Sequence, residues 1–233
     1  MGTVSYHRCM SAVGTGAAGD ARPLPATERG RRTRALIVDA AATLMYQRGV
    51  RATSLDDVLA AAGSGKSQMY HYFDDKADLV AAVIQRQLEF VLSNQQPALE
   101  RADTWSGIDA WTDHIVRLHS LPGGPFACPL GTIAVELMND EAFRPSLDAA
   151  FRDWEAPLAR GLQAMKDGGE LIDDADVPRL AATVIATLQG GLLMAHLRRD
   201  VTVLRDTLDS AVARLRQSAR RSLADDRGAS RSR

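Results

Sequence analysis

The chain has 233 residues, 45% hydrophobic and 24% charged, which supplies a globular core and excludes wholesale disorder. Its net charge of -1 gives no global field toward nucleic acid or membrane. The two cysteines, Cys9 and Cys128, form no CxxC or Cys/His cluster, so they support neither a zinc site nor a disulfide framework.

Residues 1–30 are rich in Gly, Ala, Ser and Pro without apolar period and read as a disordered tail. Arg22, Arg29, Arg31, Arg32 and Arg34 gather near its end, either as a solvated cluster or as an arm for DNA. Thr33–Arg48 reads as the first helix, with Leu36, Ala40 and Leu44 in register and Gly49 closing it. Thr53 is the expected N-cap of a two-turn helix burying Leu55, Val58 and Leu59. Gly63-Ser64-Gly65 predicts a turn, followed by a short helix over Lys66–Tyr72. Asp74 then caps a long helix that Pro97 ends.

Beyond Pro97 every element reads as helical: Trp105–Leu121, Pro129–Met138, Ser146–Lys166 with Pro157 expected to kink or split it, Pro178–Arg199, and Val201 to about Leu223. No run appears long enough to cross a bilayer, and the N-terminus lacks the pattern of a secretory leader. A reducing, cytoplasmic setting and no cofactor are therefore expected.

The stretch Ala62–Phe73 carries the functional reading. Gly65-Lys66-Ser67 also ends a phosphate-binding loop, G-x-x-x-x-G-K-[ST]. That motif requires glycine where Ala60 stands and a buried strand where a capped helix is expected. Two short helices around a glycine turn instead form a helix-turn-helix, whose second helix fits a major groove about 12 Å wide. On that helix Lys66, Ser67, Gln68, Tyr70 and His71 would be presented and Met69 buried, with Phe73 wedged against the long helix. Gln68 suits an adenine edge, and Lys66 and Lys76 suit phosphates. The same residues also read as an ordinary solvated face. The slight basic excess of residues 1–74, nine Lys/Arg against six Asp/Glu, agrees with a DNA-facing head.

Residues 33–80 resemble the TetR family of bacterial regulators, whose head ends in a pattern like A-G-V-S-x-G-x-L-Y-x-Y-F-x-x-K-x-x-L. This chain has Ala62-Gly63, Met69-Tyr70-His71-Tyr72-Phe73, Lys76 and Leu79, and departs at Ser64, Gly65 and Ser67. The resemblance implies phosphate contacts from Thr53, Tyr70, His71 and Lys76, and base reading by Ser67 and Gln68. Cys128-Pro129-Leu130-Gly131, Phe151, Trp154 and Leu188-Gln189-Gly190-Gly191 look like a branch that includes repressors of multidrug and lincomycin resistance genes.

The implied architecture is all-α. A disordered tail (1–30) precedes a three-helix helix-turn-helix DNA-binding domain (31–76). A long helix joins it to a helical-bundle ligand-binding and dimerisation domain (77–223), with a disordered tail at 224–233. The implied function is a ligand-released homodimeric repressor on a palindromic operator. Trp105, Trp111, His114, Phe126, Phe151, Trp154, Gln189 and Met194 are candidates for a mostly apolar effector pocket, though each also reads as core. Leu180, Val184, Leu188, Leu204, Leu208 and Leu215 are candidates for the dimer interface, with Ala182, Ala186, Gly190 and Gly191 permitting close helix approach. No catalytic triad or metal set is present. The competing readings are a helical small-molecule-binding or adaptor protein with a vestigial head, and a nucleotide hydrolase.

Overall fold

The structure, a computed structural model, describes residues 25–122 and 127–220. Nine α-helices occur among them: α1 (Glu28–Arg48), α2 (Leu55–Ala62), α3 (Lys66–Tyr72), α4 (Lys76–Gln95), α5 (Trp105–His119), α6 (Pro129–Leu137), α7 (Arg144–Asp167), α8 (Val177–Arg198) and α9 (Thr202–Arg216). A 3-10 turn at Leu99–Arg101 precedes α5, and among the described residues the β-pairing is one isolated bridge, Leu171 to Ala219. The all-α expectation therefore stands. Residues 1–24 of the expected 1–30 tail and the expected tail at 224–233 lie outside the described residues, while Glu28–Gly30 fall in α1 rather than in a tail.

The chain forms two compact units. The first takes the described parts of Met1–Gln95 and Leu121–Trp154, so α4, α6 and the start of α7 belong with the head. The second takes Gln96–Ser120 and the described residues from Glu155 onward. The boundary expected at residue 76 thus falls inside the first unit.

In that unit α1 begins before the expected Thr33, because the Thr27 hydroxyl accepts the Gly30 N–H at 3.1 Å. Its buried stripe is Ile37, Val38, Ala41, Leu44 and Met45, while Leu36, expected to begin it, is 50% exposed. Against it α4 buries Leu79, Val80, Val83, Ile84, Leu88 and Val91. Two polar residues share this contact. Buried Gln87 donates to the Ala42 carbonyl at 3.2 Å, and Arg86 donates to Asp39 at 2.6 Å. Both satisfy groups that would be costly to bury alone.

In the second unit two glycines mark close approaches. A Cβ on Gly107 would lie 1.8 Å from the Arg101 carbonyl oxygen, and one on Gly161 would lie 2.2 Å from that of Ala102. Pro157 lies within an uninterrupted α7 rather than splitting it. Helix α8 is, by length and a mean hydropathy of 1.5, apolar enough to cross a membrane, which corrects the expectation that no such run exists. Its apolar content has another use here. Val184, Leu188 and Leu192 are buried, α9 packs along the helix, and Leu204, Leu208 and Leu215 are buried from the α9 side.

Candidate nucleic-acid interface

Helix α2 starts at a capping box. The Ser54 hydroxyl accepts the Asp57 N–H at 3.1 Å, and the Asp57 carboxylate accepts the Ser54 N–H at 3.2 Å and its hydroxyl at 2.6 Å. Those bonds hold the Asp57 carboxyl below the usual carboxylate range. Ser54, not Thr53, is therefore the cap. Thr53 is 1% exposed and its hydroxyl donates to the Gly49 carbonyl at 2.7 Å, which corrects its expected contact with phosphate. At the other end Gly63 takes the left-handed conformation (φ +61°), and the Ser64 N–H closes back on the Leu59 carbonyl at 3.0 Å. Gly65, at φ -90° and with open space around it, has no such requirement.

Helix α3 begins without a side-chain cap, and the Gly65 N–H instead donates to Gln68 Oε1 at 3.3 Å. The helix sorts its residues by face. Met69 is fully buried and Phe73 is 2% exposed, while Lys66, Ser67, Gln68, Tyr70 and His71 are exposed. Tyr72 is half-buried, with His71 set edge-on to its ring at 4.9 Å. The structure thus brings five of the seven expected DNA-binding residues onto one solvent-facing surface. Lys76 is corrected along with Thr53: its ammonium donates to the Val50 carbonyl at 2.7 Å, which withdraws it from that surface.

Lys66 lies 3.0 Å from Asp56, both well exposed, and this pairing raises the lysine pKa. An acidic partner opposes any phosphate approaching Lys66. Asp56→Asn should therefore tighten DNA binding about two- to fivefold at low salt and steepen its salt dependence. Titrations over a salt series check this, and an unchanged slope would refute it.

Sequence reading missed Glu136 of α6. Its carboxylate accepts the Val50 and Arg51 backbone N–H groups, both at 2.7 Å, directly ahead of α2. A contact between residues 86 apart leaves no local pattern to find.

The expected effector residues are divided between the two units. Phe151 and Trp154 fall in the first unit, where buried Trp154 donates to Gln95 Oε1 at 3.3 Å. Trp105, Trp111, His114, Gln189 and Met194 fall in the second, and Phe126 lies outside the described residues. Trp111 is fully buried, and Trp105 lies under the Arg216 guanidinium, 5.0 Å from the ring centroid. A cleft of about 330 Å³ beside α5 and α9 is lined by Asp109, Asp113, Arg205, Asp209 and Arg216 together with Val212 and Ala213, and by none of the eight.

The expected dimer leucines are also corrected. Val184, Leu188, Leu204, Leu208 and Leu215 are 4%, 1%, 0%, 0% and 1% exposed within the single chain, and Leu180 is half-buried. They are already covered by the α8–α9 contact. Among the residues α8 leaves exposed, which also include Pro178, His196 and Arg198, a row of Arg179, Thr183, Ala186, Gly190, Leu193 and Leu197 falls at alternating spacings of four and three. Leu193 and Leu197 are 60% and 72% exposed. The paired glycines separate the two faces: a Cβ on Gly191 would meet Thr207 at 3.1 Å, and one on Gly190 would meet nothing.

Residues 37–83 match the family model for bacterial regulatory proteins of the tetR family. Residues 105–210 match the C-terminal domain of LmrA/YxaF-like transcriptional regulators. An HTH-type transcriptional regulator from the lacX 3' region of Lactococcus lactis subsp. lactis is 30% identical over 188 residues, 77% of this chain and 91% of that protein. The chain belongs to the TetR family. The HTH-type transcriptional repressor KstR2 of Rhodococcus jostii is 44% identical over 55 residues, 24% of this chain and 26% of its own. A TetR-family regulator from Cytophaga hutchinsonii, 19% identical, superposes with a TM-score of 0.71 over 85% of this chain and 100% of its own, a likeness of fold. This TetR-family chain is a DNA-binding transcriptional regulator, and α2, the Gly63 turn and α3 are its helix-turn-helix. The phosphate-loop reading falls with the same geometry, since α2 is a helix where that loop requires a strand.

Proposed function

We propose that the protein is a cytoplasmic homodimeric repressor. It binds a palindromic operator and leaves it when a small, mostly apolar effector binds the body. The observation that carries the DNA half is the sorting of α3, with Met69 buried beneath an exposed Ser67, Gln68, Tyr70 and His71. In this reading Ser67 and Gln68 meet base edges, and Lys66, Tyr70 and His71 meet the backbone. A twofold dimer sets two copies of α3 about 34–36 Å apart, one turn of DNA.

The dimer face follows from the exposed α8 seam. Alternating spacings of four and three are the period of helix-on-helix packing, and Ala186 and Gly190 permit the close approach that Leu193 and Leu197 then seal. The effector class rests on the family and on the large aromatic side chains of the body. Release of DNA follows only so far as the effector prefers a conformation with a different spacing of heads. No step of this function is catalytic.

Selection from random DNA with the purified protein tests the reading, and recovery of no preferred sequence at low salt would sink it. Gln68→Ala should bind the selected site about tenfold or more weakly, with preference relaxed at one base position per half-site, since a bidentate base contact contributes about 1–3 kcal/mol. Retention of full preference would remove Gln68 from base reading.

A further inference from the structure

Val50 is held from two sides. Its N–H, with that of Arg51, converges on the Glu136 carboxylate, each at 2.7 Å. Its carbonyl accepts from the Lys76 ammonium, also at 2.7 Å. The preceding carbonyl, that of Gly49, accepts from the Thr53 hydroxyl at 2.7 Å. The segment between α1 and α2 is thus fixed by an anion from α6 and a cation from the first turn of α4.

Gly49 shapes the site. At φ +89° it turns two successive N–H groups toward one point, and a Cβ there would lie 3.0 Å from Glu136 Oε2. Charge-assisted bonds of this kind are the strong ones, and two on one carboxylate fix direction as well as distance. Ser54, four residues past Val50, caps α2 and sets where that helix starts. Helix α3 follows α2 through a single tight turn, so the segment at Val50 is the anchor from which the helix-turn-helix is aimed.

We infer that Glu136 is a positioning residue for operator recognition: its carboxylate, opposed by Lys76, holds the 49–53 segment so that α2 and α3 meet DNA in one orientation. The inference rests on the DNA-binding reading of α3. Glu136 touches no base or phosphate in it, and its effect falls on specific binding rather than on general attraction to the backbone.

The test uses the full chain and a duplex selected from random DNA by the wild-type protein. Glu136→Ala should weaken binding to that duplex about tenfold or more, as expected when two backbone donors lose a charged acceptor, and leave binding to unrelated duplex unchanged. Glu136→Gln, which keeps the shape and one acceptor oxygen, should recover part of the loss. Its Val50 and Arg51 amide proton resonances should move upfield. Lys76→Met should reproduce the specific loss from the other side. Equal binding of the selected duplex by wild type and Glu136→Ala would overturn the inference. So would a loss shared equally by selected and unrelated DNA, or unmoved Val50 and Arg51 resonances in Glu136→Gln. A wild-type protein that selects no site would overturn the reading of α3 itself, and this inference with it.

Discussion

Replacing Leu193 and Leu197 with aspartate is expected to turn the dimer into a folded monomer and to weaken operator binding about 10²–10⁴-fold. Both side chains are largely exposed in the single chain, so neither substitution buries a charge within the protomer or removes core packing. In the proposed dimer the same positions are covered, and two carboxylates from each copy would be forced together without partners. A monomer presents one α3, and the gain from holding two half-sites at once is lost. Sedimentation velocity reads the first effect and gel shift the second. Leu208→Asp is the contrast: Leu208 is fully buried, and that variant should unfold rather than dissociate. A double variant that remains dimeric would place the interface elsewhere.

The burial of the α8 and α9 leucines shows where one-dimensional reading stops. Periodicity marks a helix face as apolar but carries no information about what covers it. Leu188 and Leu204 are legible as apolar, and both are buried within the single chain, where α8 and α9 pack together. The bounds of α3 were legible because local signals enclose it, with Gly63 turning the chain before it and Phe73 leaving the helical conformation after it. Thr53 and Ser54 were ambiguous. Either hydroxyl can cap a helix, and the choice is made by a competing local bond, the turning of the Thr53 hydroxyl back to the Gly49 carbonyl four residues earlier. Lys76 reads as a phosphate ligand in the sequence, and its partner, the Val50 carbonyl, lies 26 residues away. A long-range polar pairing of this kind has no sequence period, whereas the revisions at Thr27, Thr53 and Ser54 turn on bonds three or four residues apart.

The aromatic run Tyr70-His71-Tyr72-Phe73 gives the second large effect, because two similar rings three residues apart should fail in opposite ways. Phe73 is 2% exposed, with the partly buried Arg34 guanidinium 5.0 Å from its ring centroid. Phe73→Ala removes that ring from a closed site and should cost about 3–5 kcal/mol of stability. A chain of this length should then melt roughly 6–20 °C lower. Tyr70 is 58% exposed and contributes little to the core, so Tyr70→Ala should shift the melt by no more than about 2 °C. It should instead weaken binding to the selected operator about tenfold, through loss of a hydrogen bond to a charged phosphate. Circular dichroism melts and operator titrations on the two variants separate the roles. If Tyr70→Ala melts as low as Phe73→Ala, or binds the operator as tightly as the wild type, the division of α3 into a packed edge and a DNA-facing surface is wrong.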